Sequence, residues 1–222
     1  MGRGHTSEAM SAIHRGPKAS APVGVARVRT RRLLRAFIIA FCTSTAAISA
    51  SSGDQSDENF DPVTGYRTQR YQAAVPHAPP AGERVWLPEI DRLVNEERAI
   101  LLDVSPITGA GYDRGSGQWR LAKPHSSLPG AVWLPEVGRG TPDAPVERFL
   151  ADQLRRLTGG DQQRPIIIFC HADCWMSWNA MKRIAGLGYA RLYWFPEGTD
   201  GWRDFDRPLV PIEPVPLTPL PP

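Results

Sequence analysis

The sequence predicts an α/β fold, a small parallel sheet with helices on both faces, carrying an N-terminal arm and a proline-rich C-terminal tail. Three observations point there. Pro165–Cys170 (Pro-Ile-Ile-Ile-Phe-Cys) is apolar on both faces, as a central strand of a parallel sheet must be. Strand-length and helix-length segments alternate from residue 86 to residue 203. The connections between successive strands are short enough to demand right-handed crossovers through single helices.

The first 50 residues are a different material from the rest. They hold eight of the 26 Lys and Arg but one of the 23 Asp and Glu, so the head carries +7 and the remainder −4 of the formal +3. All seven Trp lie after residue 80. Arg27, Arg29, Arg31, Arg32 and Arg35 lead into the apolar run 36–48, too short for a stable bilayer span. A small-residue exit at Ala46–Ala50 completes the pattern of a secretory signal cleaved near Ser49 or Ala50. Thr30–Arg35 faintly resembles a twin-arginine signal, so both export routes stay open, and Met10 is an alternative start. The expectation is a periplasmic protein with no membrane span after cleavage. Because the positive charge sits beside this apolar run and not on the body, nucleic-acid binding is excluded as its reason.

Export removes Cys42 with the signal and leaves Cys170 and Cys174. Two cysteines four apart cannot staple a domain; they make a small local loop, suited to redox or ligand chemistry.

Four segments follow: 1–50 signal, 51–85 flexible leader and arm, 86–206 domain, and 207–222 tail. Residues 51–60 are polar and acidic, too poor in apolar groups to pack. Phe60–Pro80 mixes aromatics, Arg and Pro and should lie over the domain. Trp86–Val94 has helical apolar spacing with Pro88 in its first turn. Ala99–Val104 and Ala131–Leu134 are strand candidates. Pro145–Leu157 is a helix with Val146, Phe149, Leu150, Leu154 and Leu157 on one face, stopped at Gly159. Pro165–Cys170 is the central strand, Ser177–Leu187 a helix, and Arg191–Phe195 a strand. Seven Pro in the last sixteen residues predict an extended polyproline tail.

The chemistry lies at residues 170–177. Cys170 ends the central strand, so His171, Ala172, Asp173, Cys174, Trp175 and Met176 must loop over the sheet's carboxyl edge, where such folds bind ligands. A helix beginning at Ser177 would point its N–H groups at the Cys170 thiol and lower its pKa. Cys174 in the same loop can resolve a disulfide or persulfide formed on Cys170. The inert alternative is a buried thiol at a strand end.

The strand-Cys-loop-helix unit, the Leu102-Asp103 strand end, Leu128–Pro135 and Gly198–Trp202 together resemble a rhodanese domain over residues 99–203. The resemblance implies a persulfide on Cys170, cradled by loop N–H groups, with Asp103 as the acid at the first strand end and His171, Ala172, Asp173, Trp175, Met176 and Ser177 forming the substrate loop. A longer likeness runs from Thr64-Gly-Tyr-Arg67 through Cys170–Asn179 to Tyr193–Trp202. It is similar to the pyrroloquinoline quinone (PQQ)-dependent catabolism-associated CXXCW motif proteins, although three residues separate the cysteines here. It implies a periplasmic accessory of quinoprotein alcohol oxidation, partnered by a quinoprotein dehydrogenase or a c-type cytochrome, with thiol redox or sulfur transfer from a small donor. The loop is bulky, acidic and without glycine, which argues against thiosulfate turnover.

No resident metal is assigned. Cu(I) on Cys170, His171 and Cys174 is the alternative left open, because thiolate and imidazole suit it; His125 would be a fourth ligand or, more simply, a surface residue of the Lys123-Pro-His125 loop. Covalent haem is disfavoured because no Cys-x-x-Cys-His occurs. Trp175 and Trp178 read as lid and core, and Thr64–Arg70 as a clasp on the domain or a carboxylate-recognising edge.

Overall fold

The computed structural model describes residues 58–108 and 111–217. The expected signal, most of the acidic leader and the last five residues lie outside them. Among the described residues no helix is long and apolar enough to cross a membrane.

The elements are β1 (Glu83–Arg84), α1 (Leu87–Glu97), β2 (Ile100–Asp103), β3 (His125–Ser127), β4 (Val132–Trp133), α2 (Ala144–Thr158), β5 (Ile166–Phe169), α3 (Trp175–Gly186), β6 (Leu192–Phe195), α4 (Gly198–Asp204) and β7 (Val210–Ile212). Five of the strands form one parallel sheet in the order β1-β6-β5-β2-β4. β5 is central and its four residues are wholly buried, which explains why its sequence shows no polar alternation.

The pleat divides the core in two. Ile166 and Ile168 pack with Leu102, Leu150, Leu154, Ala180 and Ile184 on the side of α2 and α3. Ile167 and Phe169 pack with Leu101, Leu87, Ile90, Leu93 and Trp202 on the side of α1 and α4. Helices therefore cover both faces, as predicted. Their ends follow local rules: Glu89 accepts the Trp86 N–H before α1, Asp143 caps α2, and Gly159 closes it with φ +67°.

Three features depart from the sequence reading. The third helix begins at Trp175 and not Ser177, so Cys174 is its cap and Trp175, Met176 and Ser177 are helical. The apolar residues of its first turn face the core, and burial there outweighs the weak local signal. His125 is not a surface loop residue: it starts β3, half-buried with its ring 4.3 Å from that of Trp133. The tail is extended but attached. β7 pairs antiparallel with β3, Val215 N–H donates to Trp133 O at 3.0 Å, and Leu217 N–H to Gly117 O at 2.9 Å. Proline is tolerated because Pro211 sits in a two-stranded ribbon, where one missing donor is solvated.

Arg207 fixes the root of the tail, donating to both Asp91 oxygens at 2.6 and 2.5 Å and stacking 4.5 Å above Trp202. The Arg207 hydrogen bonds hold the Asp91 carboxyl below its ordinary value of 3.8. A carboxyl lowered on folding stabilises the native state above its unfolded pKa, and that contribution is lost as pH falls through the folded value. We expect Asp91→Asn to lower stability at pH 7 by about 0.5 kcal/mol, the scale of a half-exposed pair. In urea titrations across pH, the gap between variant and wild type closes once the folded carboxyl is protonated.

Candidate functional site: a buried disulfide at the sheet edge

Cys170 follows the last residue of β5 and Cys174 caps α3, and the two are joined as a disulfide with a Cα–Cα separation of 6.2 Å. Cys170 is 0% exposed and Cys174 2%. In this state no thiol titrates, so the lowered Cys170 pKa expected from the helix start is replaced by a covalent bond. The residue at the helix start is Cys174.

Two close approaches hold the loop. At the start of α4, Thr199 N–H donates to Cys170 O at 2.9 Å, and a Cβ on Gly198, whose φ is +53°, would run into that same carbonyl. Ala172 N–H donates to Asp200 Oδ2 at 3.0 Å. On the other side a Cβ on Gly138 would meet the Met176 carbonyl. Asp173 turns the chain with φ +51°, a conformation Asp tolerates better than most residues.

The arm closes the site from outside. Tyr71 O accepts the N–H of Trp175 at 2.9 Å, Ala73 N–H donates to Asp173 O at 2.9 Å, and Gln72 lies in an antiparallel bridge with Cys174. Gln72 Nε2 and Trp175 Nε1 add bonds to Ala172 O and Ala74 O at 3.1 Å each. A cysteine engaged through sulfur offers α3 no side-chain cap, and a carbonyl of the arm satisfies its first N–H instead.

Asn179 anchors the arm. Its Oδ1 accepts Arg67 N–H at 3.0 Å, and its Nδ2 donates to Arg67 O at 2.7 Å and Gly138 O at 2.9 Å. The Arg67 guanidinium lies 4.5 Å from the Trp175 ring and 5.4 Å from Phe60, beside a cluster in which Phe60 meets Trp175 and Trp178 edge-on. Lys182 holds Thr64 O at 2.7 Å. Thr64–Arg67 is thus a clasp on the domain.

The remaining predicted residues separate. Ser177 is buried, donating to Cys174 O at 3.1 Å and accepting from Trp194 Nε1 at 3.0 Å, and Met176 is wholly buried. Asp103 is not brought to the disulfide. Leu101 and Phe169 on either side of it face α1 and α4, and strand alternation puts Asp103 on their side, whereas Cys170 faces α2 and α3. Its Oδ2 accepts Ser127 Oγ at 2.6 Å and His125 Nε2 at 2.8 Å, and its Oδ1 the Ser105 N–H at 2.8 Å. Asp103 therefore organises β3, a structural task, and it also occupies the imidazole considered as a fourth metal ligand.

His171 does stay with the cysteines. Its ligand nitrogen and the two sulfurs lie within 4.8 Å of one another. Nδ1 is 3.0 Å from Ala172 O, which only accepts, so in this contact Nδ1 is the donor. Once reduced, this soft donor set fits a thiophilic ion. Sequence reasoning missed Asn179, Gly138 and Gly198 as parts of the site; Asn179 in a helix interior and Gly198 within the Gly-x-x-Gly-Trp ending were the available signals.

No family model matches the chain, and no curated protein matches it. Among solved structures, a variant of EanB in complex with hercynine is 19% identical, over 60% of this chain and 32% of that one, with a TM-score of 0.41. An EanB persulfide in a tetrahedral intermediate state with ergothioneine gives 18%, 60%, 32% and 0.40. The 30 kDa polysulfide-sulfur transferase homodimer from Wolinella succinogenes gives 13%, 58% and 78%, with 0.36. The chain spans about a third of the EanB chains it matches. Likenesses of this size say nothing of chemistry, and the site is read from its own residues.

The two-sided confinement of the loop is testable. Gly198→Ala should cost about 3 kcal/mol, since it combines a left-handed backbone with a collision. Gly130 has φ +81° but open space around it, and Gly130→Ala should cost only about 1 kcal/mol. Chemical denaturation of both variants checks the difference, and equal losses would mean that α4 does not bear on Cys170.

Proposed function

We propose that this chain is an exported, rhodanese-like accessory protein of PQQ-dependent alcohol oxidation that works through thiol redox and sulfur transfer at Cys170 and Cys174. The observation carrying the reading is the disulfide between a strand end and a helix cap at the carboxyl edge of a parallel sheet. A bridge closing so short a loop adds little stability and is well placed for exchange. The exported setting rests on the signal-like pattern of residues 27–50, and the quinoprotein dehydrogenase or c-type cytochrome partner on the sequence resemblance.

The cycle balances with two cysteines. After a partner dithiol has reduced the disulfide, the Cys170 thiolate takes the outer sulfur of a persulfide donor, forming Cys170–S–SH and releasing the donor's thiolate. The Cys174 thiolate then attacks the inner sulfur, expels hydrosulfide and restores the disulfide. The dithiol is oxidised by two electrons and one sulfane sulfur is reduced to sulfide. The N-terminal end of α3 favours the thiolate of its cap residue, Cys174.

A second reading is favoured by the clustering of Cys170, His171 and Cys174: the reduced loop carries Cu(I) for delivery and turns nothing over.

Intact-mass analysis after exposure to a persulfide donor and to Cu(I) separates the readings. Reduced wild type should return to the disulfide and release sulfide, Cys174→Ser should retain one extra sulfur on Cys170, and Cys170→Ser should do neither and should fail to support quinoprotein-dependent growth. One bound copper with no sulfur uptake would establish the second reading, and growth supported by Cys170→Ser would remove the first.

A further inference from the structure

Both sulfurs are buried, yet disulfide exchange needs a thiolate to approach along the S–S axis. Cys170 is covered by the core and by the start of α4, where Gly198 and Thr199 press on its carbonyl. Beside Cys174, paired with it main chain to main chain, runs residue 72 of the arm, in a segment that makes single-residue bridges at Arg67 and Gln72 and belongs to no helix or ladder. Arg70, Gln72 and Ala74 of this segment are exposed. It is held by the backbone pair with Asp173 and Trp175, by Gln72 Nε2 on Ala172 O and Trp175 Nε1 on Ala74 O, by the Asn179 anchor, by the Tyr71 hydroxyl, which accepts the Gly140 N–H at 2.9 Å, and by the partly buried side chains of Tyr71 and Val75. A segment outside every helix and ladder, held largely by hydrogen bonds at the surface, opens before the core of the sheet does.

We propose that residues 67–75 are a displaceable strap over the disulfide, and that the thiol partner reaching Cys174 is an extended polypeptide that takes the strap's place. This rests on the redox reading above and names the partner class of that same site. The strap already shows what the site accepts. The N–H of residue 73 donates to Asp173 O and the carbonyl of residue 71 accepts from Trp175 N–H, as in an antiparallel strand, so removing the strap leaves a donor and an acceptor spaced for another extended chain. A small thiol without a peptide backbone could not take both at strand spacing. With the strap lifted, the partner thiolate attacks Cys174 Sγ, the S–S bond breaks, and its electron pair leaves on Cys170, which is protonated. The partner's second thiol displaces Cys174, so the partner ends as its own disulfide and the chain gains two electrons and two protons.

The test is the rate at which excess dithiothreitol reduces the disulfide in the full chain, quenched by alkylation and read by mass. Tyr71→Phe deletes the hydroxyl that holds the strap to Gly140 and should speed reduction about five-fold, the factor expected for one hydrogen bond. Leu93→Ala, in the core on the opposite face, lowers global stability and should leave the rate within about two-fold under native conditions. An unchanged rate in Tyr71→Phe, or equal acceleration in Leu93→Ala, overturns the strap. A peptide copying residues 69–76, at millimolar concentration, should slow reduction of Tyr71→Phe by reoccupying the site. The same peptide N-methylated at the position of Ala73 should not. No slowing, or equal slowing by both, overturns the polypeptide partner. These rates are properties of the isolated chain, so they can fail while the sulfur and growth assays succeed, or the reverse.

Discussion

A helix must satisfy its first N–H groups, and α3 begins on a cysteine whose sulfur is already bonded. Most of the architecture around the site follows from that constraint. The missing cap is replaced by a carbonyl from the arm, so the arm must run extended across the loop. Its course is then set by Asn179, one turn into the helix, and by the Gly138 and Gly140 approaches that let the neighbouring loop come close. Replacing a side-chain cap with a remote backbone segment ties helix start, disulfide and arm into one unit.

The opposite side of the sheet performs a different task. Asp103, fully buried, gathers Ser105, His125 and Ser127, and β3 in turn receives β7. A buried carboxylate with all these donors stabilises, whereas removing any donor would leave part of it unsatisfied. The chain thus separates its two conspicuous polar groupings by one sheet: a structural acid towards α1 and α4, and a sulfur pair towards α2 and α3.

What the sequence disclosed, and what it hid, follows from how local each signal is. β5 was legible because a doubly buried strand has no polar position, and α2 because Val146, Phe149, Leu150 and Leu154 repeat at helical spacing with Gly159 at the end. The start of α3 was misplaced by two residues because its cap carries no oxygen and so looks like loop. β3 and β7 are three residues each and exist through pairing across more than eighty positions, which no window of sequence contains. Cys170, His171 and Cys174 were legible as a group from spacing alone. That the arm would cover them was foreseen only as an arm over the domain, since the pairing at Gln72 and Ala73 uses main-chain atoms that any residue supplies.

The central claim is that the Cys170–Cys174 bridge is an exchanging couple and not a staple. Its reduction potential tests this most directly. Native protein is equilibrated in glutathione and dithiothreitol redox buffers, alkylated, and scored by mass for the oxidised fraction. An exchanging couple has a potential above about −270 mV, within the span of exchanging dithiols, and a value below about −300 mV, where structural disulfides lie, would make the bridge a staple.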